Sequence, residues 1–340
     1  NGSVYFDVEK YNARHPYGVL SGRKIEDLLA NTRALDGQSD KRNPLDFSLW
    51  KHAGRDHLMR WSSPWGEGYP GWHLECSAMS TKYLGMEFDI HGGGMDLLFP
   101  HHECEIAQNV AGYGKPSVRY WMHNNKITIN GQKMGRSLGN FITLDEFFSG
   151  AHQLLERAYD AMTIRFFILQ AHYRSTLDFS NEALQASEKG LARLLNAMEL
   201  LEGIQPASAS HTDVDGLTKK CEAALSDDLN TPILIAHLFE GVKLIHALAE
   251  GKEQVDQDGL ESLKNLYQGL VYQVLGLRPE KKGSGAAEEL SSALVELILE
   301  MRQEAKNGKD YATADRLREE LSNLGVVLKD HKDGTDWEIQ

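Results

Sequence analysis

The sequence predicts an α/β region, then an all-α region, then a small α+β module. Residues 61–140 combine glycine, histidine and tryptophan with short β-forming runs such as Phe88-Asp-Ile90. Beyond Asp145 apolar residues recur at helical spacing, and at Pro279-Glu-Lys-Lys-Gly-Ser-Gly-Ala-Ala287 the composition turns to glycine, serine and charge, as in a flexible linker.

Within the first region, Ser3-Val-Tyr-Phe-Asp-Val8 reads as a strand entered in mid-sheet, which suggests further chain upstream. A helix is expected near Lys24–Arg33, then a polar stretch, Asp36 to Arg42, before Phe47, Leu49 and Trp50. Between Trp61 and Asn140 the composition favours tight turns over regular helices. Lys126-Ile-Thr-Ile-Asn-Gly-Gln-Lys133 alternates β-formers and turns at Asn130-Gly131, so a strand leads into a loop. Leu154, Leu155, Ala158, Met162, Phe166, Phe167 and Leu169 share helical spacing, as do Leu184, Leu191, Leu194, Leu195 and Met198 within Ala183–Leu201. Asp228-Leu-Asn230-Thr231-Pro232 supplies a capping residue and then a proline at the first helical position of the next helix. The last module holds one helical pattern and a short strand, Gly325-Val-Val-Leu-Lys.

At 340 residues with 41% hydrophobic content, the chain can bury a sizeable core. Its first residues lack a secretory signal pattern and no run of 18 or more apolar residues occurs, so a cytoplasmic location with no membrane role is expected. Three cysteines, Cys76, Cys104 and Cys221, argue against a disulfide framework. The net charge of −13 repels a polyanion at long range, so any nucleic-acid role must rest on local patches.

Cys76 lies in Gly71-Trp-His-Leu-Glu-Cys76-Ser77, and His101 and Glu105 follow in Pro100-His-His-Glu-Cys-Glu-Ile-Ala-Gln108. A helix started by Pro100 puts His101 and Glu105 on one face, where an imidazole nitrogen, a carboxylate oxygen and the Cys76 thiolate can share one ion of zinc type. The rival reading is two small buried apolar residues at Cys76 and Cys104, with His102 and Glu103 on a solvated helix face. Three ligands are fewer than a closed structural site needs, which leaves a place for water, substrate or an upstream ligand.

His91-Gly92-Gly93-Gly94-Met95-Asp96 reads as a strand end where the backbone turns and approaches a ligand closely; the plain alternative is a simple turn. Lys133-Met-Gly-Arg136-Ser-Leu-Gly-Asn140 sets two cations three residues apart in a loop able to close over a triphosphate, although isolated pairs of cations more often sit on a solvated turn.

Taken together, Lys41-Arg-Asn-Pro-Leu-Asp-Phe-Ser-Leu-Trp-Lys51, Ser63-Pro-Trp-Gly66, Pro70-Gly-Trp-His-Leu-Glu-Cys-Ser-Ala-Met79, Phe88-Asp-Ile-His-Gly-Gly-Gly-Met-Asp96, Phe99–Gln108 and Lys133–Asn140 resemble the cysteinyl-tRNA synthetase family of class I aminoacyl-tRNA synthetases. The resemblance implies the C-terminal half of a Rossmann-like catalytic domain, a helical bundle and a small α+β anticodon module. Its implied boundaries are 1–60 for the end of a connective insertion, 61–150 for the second half of the catalytic domain, 151–185 for a stem-contact region, 186–280 for the bundle and 286–340 for the anticodon module.

By that resemblance Cys76, His101 and Glu105 correspond to three of four zinc ligands, one zinc per chain, with the fourth a cysteine from an N-terminal segment. Trp72, His91 and Asp96 match the walls of the cysteine pocket. Lys133 and Arg136, with Ile127 and Ile129 on the preceding strand, match the ATP site, and ATP arrives with Mg as substrate. Gly135 and Arg136 depart from the family's Lys-Met-Ser-Lys-Ser pattern; charge is kept, and the glycine loosens the loop. Tyr311, Asp315 and Arg318 match an anticodon-reading helix, whose plain alternative is an amphipathic helix with ion pairs. His172-Tyr-Arg-Ser175 resembles the stem-contact region.

The function implied is ATP-dependent activation of L-cysteine and its transfer to tRNA(Cys), by an expected monomer. The family's His-Ile-Gly-His signature does not occur in these residues, so the chain as given is not expected to aminoacylate alone. Two rivals are a cysteine ligase of the mycothiol-synthesis type and a non-catalytic zinc-containing RNA-binding fragment. The last module argues against the first, and the upstream sequence would decide the second.

Overall fold

Three short strands, β1 (Val4–Phe6), β2 (Phe47–His52) and β3 (Gly68–Pro70), form an antiparallel sheet with β2 in the middle. These coordinates are a computed structural model that describes residues 2–25, 41–279, 285–331 and 334–339. Between β1 and β2, α1 (Val8–Asn12) is capped by the Asp7 side chain, while Asp46 accepts from the Val8 N–H at 3.1 Å. Phe6, Val8, Tyr11, Tyr17, Phe47, Cys104 and Ala107 make one core cluster. Cys104 therefore fits the reading as a small buried core residue. The helix expected near Lys24–Arg33 lies almost wholly outside the described residues, as does most of the polar stretch that follows it.

The expectation that turns displace helices between Trp61 and Asn140 is corrected by two helices, α2 (Trp72–Leu84) and α3 (Glu103–Tyr113). Glycine punctuates their ends instead: Gly71 caps α2, and Gly114, at φ 77°, ends α3. Between them β4 (Phe88–Gly94) pairs in parallel with β5 (Val118–Asn124), so β4, α3 and β5 make a β-α-β unit. Gly92, Gly93 and Gly94 belong to β4 and not to a turn beyond it. A Cβ on Gly93 would lie 2.7 Å from Cε1 of His102, so this glycine lets the imidazole rest against the strand.

β6 (Ile127–Ile129) and β7 (Gln132–Lys133) form a hairpin. Its corner residues Asn130 and Gly131 have φ of 49° and 78°, as a tight two-residue turn between twisted strands requires. β8 (Leu177–Phe179) joins β6 in parallel. Behind this sheet, α4 (Leu144–Ser149) carries a capping box between Thr143 and Glu146, and α5 (Ala161–Leu169) starts at Asp160. The helical spacing of Leu154, Leu155 and Ala158 does not produce a helix. Tyr159 N–H bonds back to the Phe147 carbonyl at 2.9 Å and Asp160 caps the Met162 and Thr163 amides, so the chain reverses and restarts there.

The bundle comprises α6 (Asn181–Gly203), α7 (Val214–Ser226), α8 (Thr231–Ala249) and α9 (Gln257–Tyr267). Asn230 caps α8 through the Ile233 N–H, so the expected capped start is present, with Pro232 second in the helix, one position later than expected. By length and mean hydropathy α8 is apolar enough to cross a membrane, but Leu234, Leu238 and Ile245 are fully buried in the bundle core. Each such leucine contributes roughly 1.5–3 kcal/mol to folding.

The chain divides into two compact units, Asn1–Arg278 and Pro279–Gln340. The second holds α10 (Gly285–Asn307), α11 (Tyr311–Asn323) and the antiparallel pair β9 (Val326–His331) and β10 (Gly334–Ile339) around Val295, Leu321, Val326 and Leu328. Two helices and a hairpin thus replace the single helix and single strand expected. Helix α10 begins inside the expected linker, of which residues 280–284 lie outside the described residues.

Candidate metal centre and nucleotide loop

α2 starts immediately after β3, so its first turns carry Trp72 and Cys76 toward the N-terminal end of α3. There His101 and Glu105, four residues apart, face one way. Cys76 Sγ lies 3.5 Å from His101 Nε2, which lies 3.2 Å from Glu105 Oε1. Two donors on a tetrahedral zinc, at bond lengths of about 2.0–2.3 Å, sit about 3.4–3.6 Å apart, close to the separations found.

Burial sharpens the point. Glu105 is 1% exposed, and its Oε1 accepts no hydrogen bond from any described group despite its closeness to the His101 ring. Burial raises the Glu105 carboxyl to about 8. Burial, with Glu105 and then Glu75 nearby, raises the Cys76 thiol to about 11. A buried oxygen with no donor and a thiol held from ionising beside it are what a dication would compensate. The neighbouring imidazoles are suited to ligation in the same way. Burial, then the adjacent histidines, keeps His101 and His102 neutral, the latter down to about 3. The residues fit a zinc-type ion.

Cys76, His101 and Glu105 converge as expected, and a second triad, His91, His102 and Glu105, shares the carboxylate. His91 Nδ1 sits 3.7 Å from Glu105 Oε2. His102 and Glu103 are each 1% exposed, which corrects the solvated-face reading. His102 Nδ1 bonds to His123 Nε2 at 2.8 Å, and Trp121 lies across both His91 and His102. Glu103 accepts from the Leu20 and Ser21 amides and from the Ser21 hydroxyl. His123 carried no signal in its own sequence neighbourhood, whereas His102 was visible as half of a His-His pair.

Trp72 is exposed, and its ring centroid lies 4.4 Å from that of His101, so it stands at the mouth of the centre. Asp96 is exposed just past β4 and folds back over Gly94, where a Cβ would come 2.4 Å from its carboxylate. Trp72, His91, His101 and Glu105 form one contiguous group, with Asp96 at the end of the strand that bears His91.

Lys133 ends β7, exposed, and Arg136 opens a single helical turn, Arg136–Leu138, with its guanidinium 5.1 Å from the Phe141 ring. The loop is braced by Asn140, which accepts from the Gly135 N–H at 2.9 Å and donates to the Lys133 carbonyl at 3.0 Å. Asn140 ends the loop motif, yet sequence reasoning gave it no role. Ile127 is 37% exposed, whereas the Ile129 side chain belongs to the core with Ile142, Phe147 and Phe179. In the second unit, Tyr311 opens α11 and is exposed, as are Asp315 and Arg318, four and seven residues on and on the same face.

Three family models match in turn: the tRNA synthetases class I (C) catalytic domain over residues 1–189, the DALR domain over 220–278 and the cysteinyl-tRNA ligase anticodon binding domain over 288–337. Proteins named cysteine–tRNA ligase from Bacteroides fragilis and Porphyromonas gingivalis are each 59% identical over 338 residues, 99% of this chain and 69% of theirs. One from Chlorobaculum tepidum is 46% identical over 342 residues, 99% of this chain and 68% of its own. Identity of that order, over alignments that span all three matched segments, leaves one assignment: the chain belongs to the cysteinyl-tRNA synthetase family of class I tRNA synthetases.

Proposed function

We propose that the protein activates L-cysteine with ATP to cysteinyl-adenylate and transfers the cysteinyl group to tRNA(Cys). The observation that carries this reading is the convergence of the Cys76 sulfur, the His101 nitrogen and the Glu105 oxygen beside exposed Trp72. Cys76, His101 and Glu105 would hold zinc, which supplies a soft Lewis acid able to bind a substrate thiolate far better than the hydroxyl of serine.

The chain's own groups do the rest. Trp72 and the neutral His91 wall the pocket and exclude water, and the exposed Asp96 carboxylate offers an ionic partner to the substrate ammonium. Lys133 and Arg136, on a loop ordered by Asn140, neutralise charge on the departing pyrophosphate, with ATP delivered as its Mg complex along the edge bearing Ile127. Tyr311, Asp315 and Arg318 present a stacking ring and polar groups to the anticodon from one helix face. A cytoplasmic monomer is part of this reading.

Comparison of cysteine with serine in ATP–pyrophosphate exchange by full-length protein carrying His101→Ala tests it. Cysteine activation should fall by orders of magnitude, with the preference over serine lost. A variant that keeps the parent's preference would sink the reading.

A further inference from the structure

Helix α2 brings the sulfur to the metal centre, yet almost nothing apolar fixes its rotation. Of its 13 residues only Ser77 is buried among the described residues, and Met79, Tyr83 and Leu84 are exposed. An amphipathic helix is normally oriented by its apolar stripe. This one lacks such a stripe, and a Cys76 sulfur displaced by a few tenths of an ångström would leave the spacing a zinc-type ion tolerates.

The missing constraint is polar. Gln108, 9% exposed on α3 and three residues beyond Glu105, reaches across to α2. Its amide nitrogen donates to the His73 carbonyl at 2.8 Å and to the Ser77 hydroxyl, and its amide oxygen lies 3.0 Å from His73 Nδ1. Because a carbonyl can only accept, the nitrogen end of the amide must face it, which leaves the oxygen for the ring. That oxygen can only accept, so the His73 Nδ1–H donates to it. His73 is itself set edge-on against Phe47, with centroids 4.9 Å apart. The three bonds grip α2 three residues before Cys76 and one residue after it.

We propose that Gln108 is a positioning residue that gauges the distance from the Cys76 sulfur to His101 and Glu105, and so sets the affinity of the centre for its ion. This rests on the metal-centre reading above. Gln108 touches neither ion nor substrate; it acts by holding α2 in register with α3. Outer groups that orient metal ligands typically control affinity by about 10–100-fold.

Cobalt(II) titration of full-length, metal-stripped protein tests this, with Gln108→Leu and Ser77→Ala compared with the unaltered chain and melting temperatures recorded alongside. Gln108→Leu should bind cobalt about 10–100-fold more weakly. The thiolate-to-cobalt charge-transfer band per bound ion should also fall, because the sulfur retreats from the other ligands. Ser77→Ala, which removes one bond of three, should weaken binding about 2- to 10-fold. Unchanged affinity and band in Gln108→Leu, with only the melting temperature lowered, overturn the proposal while leaving the metal centre intact. If that variant does not fold, Ser77→Ala decides in the same way. An unaltered protein that takes up no cobalt overturns the metal-centre reading and the proposal together.

Discussion

Replacing Asn140 with alanine isolates the contribution of loop order to ATP chemistry. The Asn140 side chain is 9% exposed and makes two hydrogen bonds to the backbone of the loop that carries Lys133 and Arg136. Each such bond contributes about 1 kcal/mol net, so the ordered loop loses about 2 kcal/mol against its open forms. If the loop closes fully only in the transition state, that loss slows adenylate formation roughly 30-fold. Asn140→Asp keeps an acceptor for the Gly135 N–H but loses the donor to the Lys133 carbonyl, and should slow it about 5-fold or more. Pre-steady-state adenylate formation by full-length protein reads both, while the half-saturating cysteine concentration stays put because the metal centre lies on other elements. Rates of both variants within about twofold of the parent would refute the bracing argument.

Further outcomes follow from the remaining elements. Tyr311→Ala should weaken tRNA binding roughly 5- to 100-fold, the range for one lost base stack, and an unchanged affinity in filter binding would leave α11 as an ordinary surface helix. Asp178 accepts from the Thr128 hydroxyl at 2.6 Å and the Gly131 N–H at 2.8 Å, and these bonds, the hydroxyl first, hold its carboxyl below its ordinary 3.8. A lowered carboxyl stabilises the fold above its unfolded value and loses that contribution as pH falls through the folded one. Asp178→Asn should therefore lower the melting temperature at neutral pH, with a difference that shrinks below about pH 4. A difference that stays constant down to pH 2 would exclude the titration.

The parts legible in the sequence are those written in neighbouring residues. Asn230 with Pro232 marks the start of α8, Asn130-Gly131 marks the hairpin corner, and the four-residue step from His101 to Glu105 gives a shared helix face. The misreadings arise where distant contacts override local pattern. Leu154 and Leu155 have helical spacing, but the chain there must reverse beneath Phe147. Glycines 92–94 look like a turn, but they lie within β4, where His102 packs in the space a side chain on Gly93 would fill. His102 and Glu103 look solvated because the loop at Leu20 and Ser21 and the strand bearing His123 cover them from far along the sequence. The grip of Gln108 on α2 spans more than 30 residues and has no local signature.

The central claim is that side chains from α2 and from the start of α3 share one ion. Zinc content of the full-length protein, measured by elemental analysis beside Cys76→Ser and Glu105→Gln, tests it most directly. About one zinc per chain in the parent and little in either variant is the expected result. Equal zinc in all three, or none in the parent, would contradict it.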